Sequence, residues 1–239
     1  MTPTHWMQNT TLSVEQLLAK IDKALAEGAK PLELYKIDNY AHGILREVEF
    51  DENTTIVDFG CGTGVLTVAT LVSGRPFKKI YAVDISEEAV RVLKHILDKA
   101  ALPGRENVEI ILSQPDDALL PTDSADIIVA ANIRLYPGRP PNDPGGFLKK
   151  RYDINMRCMR SLVKAMKPDA VFREYFGLAG EDAKLTDLRR ELMLRFYREA
   201  GLTMESLELA PLIVNDTGDE TGATFLQGVY RLADTEPGR

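Results

Sequence analysis

The chain has 239 residues, of which 44% are hydrophobic and 27% charged, an ordinary balance for a folded globular protein. Its formal net charge of −7 argues against a surface dominated by contacts to nucleic acid phosphates. No apolar run reaches the length of about 18 residues that suggests a membrane span. The three histidines are far apart and lack metal-ligand spacing, so we predict no metal site.

The two cysteines, Cys61 and Cys158, lie inside a glycine-rich turn and a predicted helix. This usage does not resemble a disulfide framework and favours a reducing compartment. The first ten residues lack the basic and apolar blocks of a secretory signal. We therefore expect a cytoplasmic protein.

The first element is an amphipathic helix within LSVEQLLAKIDKALAEG. Ser13 and Gln16 have the spacing of a capping box, and Gly28 is a suitable stop signal. We interpret residues 1–50 as a helical extension that acts as a lid, and residues 51–239 as one domain.

Strand and helix patterns alternate from about residue 54 to about residue 200, which predicts a mostly parallel sheet covered by helices. The predicted strands are, in chain order, TTIVDFG, KKIYAVDI, VEIIL, DIIVAA and AVFREYF. Two further strands, MESLELAPLIV and ATFLQGVYRL, are joined by a turn-rich loop without a helical pattern. This tail predicts an antiparallel pair at the end of the sheet.

The first strand ends in a glycine turn, VDFGCGTG, and a helix follows it. Such a turn lets backbone amides approach a ligand. The glycine spacing differs from the G-x-G-x-x-G of dinucleotide sites. No lysine follows as in a phosphate-binding P-loop, so that type of phosphate site is excluded.

Acidic residues follow the first three strands, at positions expected to share one edge of the sheet. They are Asp58, Asp84, Asp116 and Asp117. Four carboxylates are unfavourable for a pyrophosphate but suit a ligand with hydroxyls, an amine and a positive centre. Asp84 also has the distance from the glycines that is typical of an acid that binds ribose hydroxyls.

These motifs, together with SQPDDALLPTDSADIIVAAN and MKPDAVFREY, resemble those of class I S-adenosylmethionine-dependent methyltransferases over about residues 54–176. The resemblance implies a three-layer α/β, Rossmann-like methyltransferase fold with a mostly parallel seven-stranded sheet and a C-terminal antiparallel pair. It also implies S-adenosyl-L-methionine as the cofactor.

The resemblance assigns the cofactor-binding residues. Asp58 and the backbone of Gly60, Cys61 and Gly62 would hold the methionine end, while Asp84 would bind the ribose and Ile85 would contact adenine. Either Asp116 or Asp117 would accept from the adenine amino group, and Asn132 would lie beside the transferred methyl. Strand 4 ends in AANIRLYP rather than Asn-Pro-Pro-Tyr, which disfavours the subgroup that methylates amino bases and glutamine.

Two segments are candidates for acceptor binding because we expect both beside the cofactor. The segment before strand 1 contains Tyr35, Tyr40 and His42, and the long loop after strand 4 contains Arg134, Tyr136 and Arg139. His42 and Tyr136 are weak candidates for a catalytic base, which methyl transfer does not always need.

The acidic balance and the lid-like extension favour a small-molecule acceptor, and we expect neither a membrane nor a nucleic acid as partner. The alternatives are an RNA or protein methyltransferase and a regulatory protein that binds the cofactor without turnover. The basic segment KKRYDINMRCMR, residues 149–160, could guide an RNA, but we interpret it as a solvated helix face.

Overall fold

The computed structural model describes residues 12–35, 39–131, 133, 147–178, 187–213 and 220–233. The α-helices are α1 Val14–Ala26, α2 Asn39–Glu47, α3 Val65–Val72, α4 Glu87–Ala100, α5 Phe147–Ala165 and α6 Asp187–Glu199. The strands are β1 Thr55–Phe59, β2 Lys79–Asp84, β3 Val108–Leu112, β4 Ala125–Ala131, β5 Met166–Leu178, β6 Leu202–Ile213 and β7 Glu220–Leu232. Short 3₁₀ turns span Pro31–Tyr35 and Arg105–Asn107.

The seven strands form one sheet in the order β3-β2-β1-β4-β5-β7-β6. Strands β1 to β5 pair in parallel, and β7 is antiparallel to both β5 and β6. The predicted fold class and the antiparallel C-terminal pair are confirmed. Strand order reverses between β1 and β4, where a doubly wound sheet binds its ligand beyond the strand ends.

An apolar layer covers each face of the sheet. Its central strands are therefore buried on both faces, as in β1, where all five residues are buried. Helices α1 to α4 contribute to the core on one face. Helices α5 and α6 contribute to the core on the other. The free thiols of Cys61 and Cys158 are buried. Among the described residues, no helix has the length and apolar character needed to cross a membrane.

Helix α1 begins at the predicted capping box. The amide of Ser13 donates to Gln16 Oε1 at 2.8 Å, and the amide of Gln16 donates to Ser13 Oγ at 3.3 Å. Its apolar face buries Leu17 and Ile21 in the same core that contains residues of α3 and α4. The division into residues 1–50 and 51–239 stays a prediction.

Charged and polar contacts also attach the N-terminal segment to its neighbours. Glu15 pairs with Arg91 at 2.9 Å, and Asp22 lies 2.8 Å from His95 Nε2. The Arg75 guanidinium donates to the carbonyl oxygens of Leu45 at 2.7 Å and Val48 at 3.0 Å. These contacts supply donors to carbonyl oxygens at the end of α2, which find no amide donor within the helix.

Candidate cofactor site

Within the glycine turn, glycine is needed most strongly at position 60. Gly60 has a φ of 70°, and a Cβ atom placed there would lie 1.4 Å from Cδ1 of Ile133, just beyond β4. Gly62 also has a positive φ, 53°, but a Cβ there would meet no atom within 4 Å. The first glycine therefore allows β1 and β4 to end close together, while the third position of the turn is open to a ligand.

Backbone amides fix the turn to the end of β2. The amides of Gly60 and Cys61 donate to the carbonyl oxygen of Val83 at 2.7 and 3.0 Å. The amide of Gly62 donates to Asp84 Oδ2 at 2.7 Å. The amides assigned to cofactor binding therefore have acceptors within the chain, and their contact with the cofactor stays a prediction.

Asp58 is the buried acid of the site, with 3% of its surface exposed. Its Oδ2 atom accepts from the amide of Thr67 at 3.1 Å and from the Thr67 hydroxyl at 2.6 Å, in the first turn of α3. Burial raises the pKa of the Asp58 carboxyl to about 6, although the Thr67 bonds lower it, and nearby Asp84 raises it further. The pair thus anchors α3 and keeps an ionisable group beneath the glycine turn.

Asp84 ends β2 and accepts hydrogen bonds with both carboxylate oxygens. Besides the Gly62 amide on Oδ2, Oδ1 accepts from the amide of Ser86 at 2.8 Å. Ser86 in turn caps α4 by accepting from the amide of Ala89 at 3.2 Å. The carboxylate therefore joins the glycine turn to the start of α4. Next to it, the side chain of Ile85 is 61% exposed, as an apolar residue that covers a ligand would be.

Asp116 and Asp117 lie in a tight turn after β3 and have different partners. Asp116 Oδ2 accepts from Arg157 Nε of α5 at 3.0 Å. Asp117 Oδ1 accepts from the amide of Leu119 at 2.9 Å and stabilises the local turn. The choice between them as the acceptor for the adenine amine stays open.

Two hydroxyls that the sequence analysis did not select lie at the same edge. Thr63 Oγ1, in the glycine turn, and Ser113 Oγ, directly after β3, are buried and have no hydrogen-bond partner among the described residues. A buried hydroxyl without a partner is costly, so a bound water or a polar ligand at this edge would stabilise these groups. With the carboxylates of Asp58 and Asp84, they fit a cofactor that has amines, hydroxyls and a positive charge. Their only sequence signal was their position after strand ends.

Tyr35 supports the turn from the N-terminal segment. Its hydroxyl donates to the carbonyl oxygen of Thr63 at 2.8 Å, and its side chain is 2% exposed. His42 is half-buried on α2. Both remain predicted acceptor-side residues. The side chain of Tyr40 and residues Asn132, Arg134, Tyr136 and Arg139 lie outside the described part of the chain, so their predicted roles are unchanged.

Comparison with known sequences identifies similar proteins. A family model described as ribosomal protein L11 methyltransferase (PrmA) matches residues 34–136. The ribosomal protein L11 methyltransferase of Streptococcus thermophilus is 34% identical over 119 residues, which cover 49% of this chain and 34% of that protein. The chain therefore spans about a third of the length of this curated relative.

Comparison of structures finds the same fold at low sequence identity. A SAM-dependent methyltransferase from Aquifex aeolicus aligns with a TM-score of 0.55 and 18% identity, covering 92% of this chain and 99% of the other. The [4+2]-cyclase SpnF aligns with a TM-score of 0.59 and 14% identity, covering 82% of this chain and 80% of the other. These likenesses concern the fold, which serves more than one reaction.

The comparisons confirm S-adenosyl-L-methionine as the predicted cofactor and correct the predicted partner. The expectation of a small-molecule acceptor is wrong, because the curated relatives are named for methylation of a ribosomal protein. Composition and a lid-like extension do not distinguish acceptor classes, since both describe the scaffold and not the acceptor surface. The sheet order and the glycine turn therefore give the chain the Rossmann-like methyltransferase fold, and its residues 34–136 are similar to the ribosomal protein L11 methyltransferases.

Proposed function

We propose that the protein transfers a methyl group from S-adenosyl-L-methionine to a protein acceptor, and that this acceptor is a ribosomal protein. The observation that carries the proposal is the match of residues 34–136 to the ribosomal protein L11 methyltransferase model, because this segment contains most of the candidate site. A cytoplasmic location accords with such an acceptor and with the free thiols of Cys61 and Cys158.

The described residues divide the work of binding between charge and shape. Asp58 and Asp84 supply negative charge close to the turn, and the Thr63 and Ser113 hydroxyls offer hydrogen bonds. Ile85 offers an apolar surface for a flat ring. When bound, the cofactor supplies a methyl group on a positively charged sulfur, which is already an activated electrophile.

The contribution of the chain is then chiefly to position and desolvate the acceptor. A protein nucleophile has to reach the carboxyl edge of the sheet, beyond β1 and β4, in line with the bond that breaks. Exclusion of water from this edge strengthens the attraction between the carboxylates and the positive centre. A protein amine would also have to lose its proton before it attacks, for which His42 and Tyr136 stay the candidates.

Transfer of a radioactive methyl group tests this proposal. The purified chain is incubated with methyl-labelled cofactor and with bacterial ribosomal proteins, free RNA or a small-molecule extract, and each fraction is counted. We expect label in a ribosomal protein. Label only in RNA or in small molecules would contradict the proposed acceptor, and cofactor binding without any transfer would contradict the proposed activity.

A matched pair of variants connects the activity with the site. In Asp84→Asn, one oxygen of the new amide can still accept, but the negative charge is lost, so we expect cofactor affinity to fall about tenfold or more. The control is Asp98→Asn on the exposed face of α4, which should bind as the parent does. Titration calorimetry measures both affinities, and equal affinities would mean that Asp84 does not contact the cofactor.

A further inference from the structure

Helix α5 carries a cluster of positive charge on its exposed side. The helix contains six basic residues and one acid, in a chain whose net charge is −7. Four exposed basic residues share one side of the helix, and we call them the α5 basic surface: Lys150, Arg157, Arg160 and Lys164. They extend over about 21 Å of helix, given a rise of about 1.5 Å per residue.

The apolar residues of α5 lie on its other side. There Met156, Met159 and Leu162 are buried, and this apolar side attaches the helix to the sheet. The Arg157 guanidinium is 54% exposed and pairs with Asp116. Within the described residues, the other three cations of the surface have no ion-pair partner.

Part of the arrangement also opposes the intrinsic preferences of a helix, whereas Lys164 in the last turn is favoured by the helix dipole. The first turn of α5 contains no acid, and Lys150 and Arg151 lie near the positive end of the helix dipole. Cations there cost about 0.3–1 kcal/mol at low salt. Arg160 and Lys164 form a like-charge i,i+4 pair, which costs a few tenths of a kcal/mol.

Helix α4 provides a contrast within the same molecule. Its first turn contains Glu87 and Glu88, which favour the dipole. Two of its three lysines and arginines are paired with α1, because Arg91 contacts Glu15 and Lys99 lies 3.8 Å from Asp22. Most cations of α4 therefore join it to a neighbouring element, whereas in the α5 basic surface only Arg157 does so, through Asp116.

We infer that the α5 basic surface is a docking surface for the phosphate backbone of RNA. A nucleic acid strand presents a phosphate every few ångströms along its axis, which matches a line of cations better than a compact acidic patch does. Two of the four residues are arginines, whose planar guanidinium group suits phosphate oxygens. The contacts would not depend on base sequence, because they involve the backbone alone.

The choice of RNA over an acidic protein surface rests in one respect on the proposed function. A ribosomal protein in its assembled setting lies beside RNA, so an enzyme that acts on it gains from affinity for phosphates. Docking itself requires no methyl transfer, and the two proposals can therefore fail separately.

Two triple variants test the surface with the same change in charge. The test variant is Lys150→Gln, Arg160→Gln and Lys164→Gln, which leaves Arg157 and its contact with Asp116 intact. The control variant is Lys30→Gln, Lys78→Gln and Lys94→Gln, three exposed lysines outside α5. The binding of each variant to a fluorescein-labelled single-stranded RNA of about 15 nucleotides is measured by fluorescence anisotropy at several salt concentrations.

We expect the parent and the control to bind this RNA with similar affinity and salt dependence. The test variant should bind about tenfold or more weakly, and its slope of log affinity against log salt should be smaller by about 2, for three lost phosphate contacts. Equal losses in both variants, or no binding by the parent at low salt, would overturn the inference. Equal affinity of the parent for the RNA and for a polyglutamate of the same charge would also overturn the inference.

Methyl transfer to a free ribosomal protein separates the two proposals. The test variant should retain the activity of the parent, because none of its three positions belongs to the cofactor site. If the protein binds RNA through α5 but transfers no methyl group, the docking surface is supported and the proposed function is contradicted. Transfer by a parent that binds no RNA would do the reverse.

Discussion

Asp58 combines two conflicting demands in one side chain. Its charge is useful beside a positively charged cofactor, but burial raises the pKa of the carboxyl to about 6. The ionised form is therefore costly in the folded chain. The stability from this group is fully present below its unfolded pKa, near 4, and is lost as the pH rises through about 6.

Asp58→Asn should separate these demands. The amide oxygen can still accept from Thr67, while the buried charge is gone. Relative to the parent, the free energy of unfolding should rise by about 2 kcal/mol between pH 4 and pH 8, while cofactor affinity at pH 8 should fall. Urea unfolding across this pH range and titration calorimetry measure the two effects. A difference in stability that is independent of pH would contradict the assigned pKa.

The glycines of the turn permit a second comparison at the residue scale. Gly60→Ala should destabilise the fold by about 3 kcal/mol or more, because it combines a left-handed backbone with overlap against Ile133. Gly62→Ala has the same backbone penalty without the overlap and should cost about 1–2 kcal/mol. Thermal unfolding compares them.

The double variant Gly60→Ala with Ile133→Ala provides the control for the overlap. It should recover part of the stability lost in Gly60→Ala alone, since the smaller side chain leaves room for the added methyl group. Failure of this recovery would place the strain in the backbone and not in the contact between β1 and β4.

At the scale of elements, α1 is attached chiefly by buried apolar residues and only weakly by its surface ion pairs. Ile21→Ala should cost about 2–4 kcal/mol because Ile21 is completely buried. Leu12→Ala, at a residue 37% exposed before the helix, should change stability by less than about 0.5 kcal/mol. Chemical denaturation measures both. Equal small effects would mean that α1 contributes little to the stability of the core.

Local chemistry explains which elements could be predicted from the sequence. The capping box of α1 involves residues three apart, and the glycine turn involves neighbours, so their patterns are visible along the chain. The Tyr35 contact with Thr63 joins residues 28 apart, and the Arg157 contact with Asp116 joins residues 41 apart. Such pairs exist only after helices have packed on the sheet. The two orphan hydroxyls were missed for the same reason, since burial decides whether a serine or threonine lacks a partner.

At the scale of the whole molecule, the acids of the candidate site and the unpaired cations of α5 lie in different parts of the fold. The acids of the candidate site lie at the carboxyl edge of β1, β2 and β3, and the unpaired cations lie along α5 on one covering layer. The two sets meet where Asp116 accepts from Arg157 at 3.0 Å, and the remaining acids and cations would attract the positively charged cofactor and the proposed RNA separately. Salt of about 0.15 M screens charges more than about 8 Å apart, which further limits their interference.

The position of β7 in the sheet has a consequence for how the chain is made. This strand comes last in the sequence, yet it lies between β5 and β6 and supplies the hydrogen bonds that join them. During synthesis, β6 cannot pair with the sheet until residues 220–232 have left the ribosome. Until then, one edge of β5 stays unpaired. An open strand edge invites pairing with other chains, and contacts between distant residues form slowly. The sheet is therefore complete only after residues 220–232 have been made, when β7 enters between two strands that were made earlier.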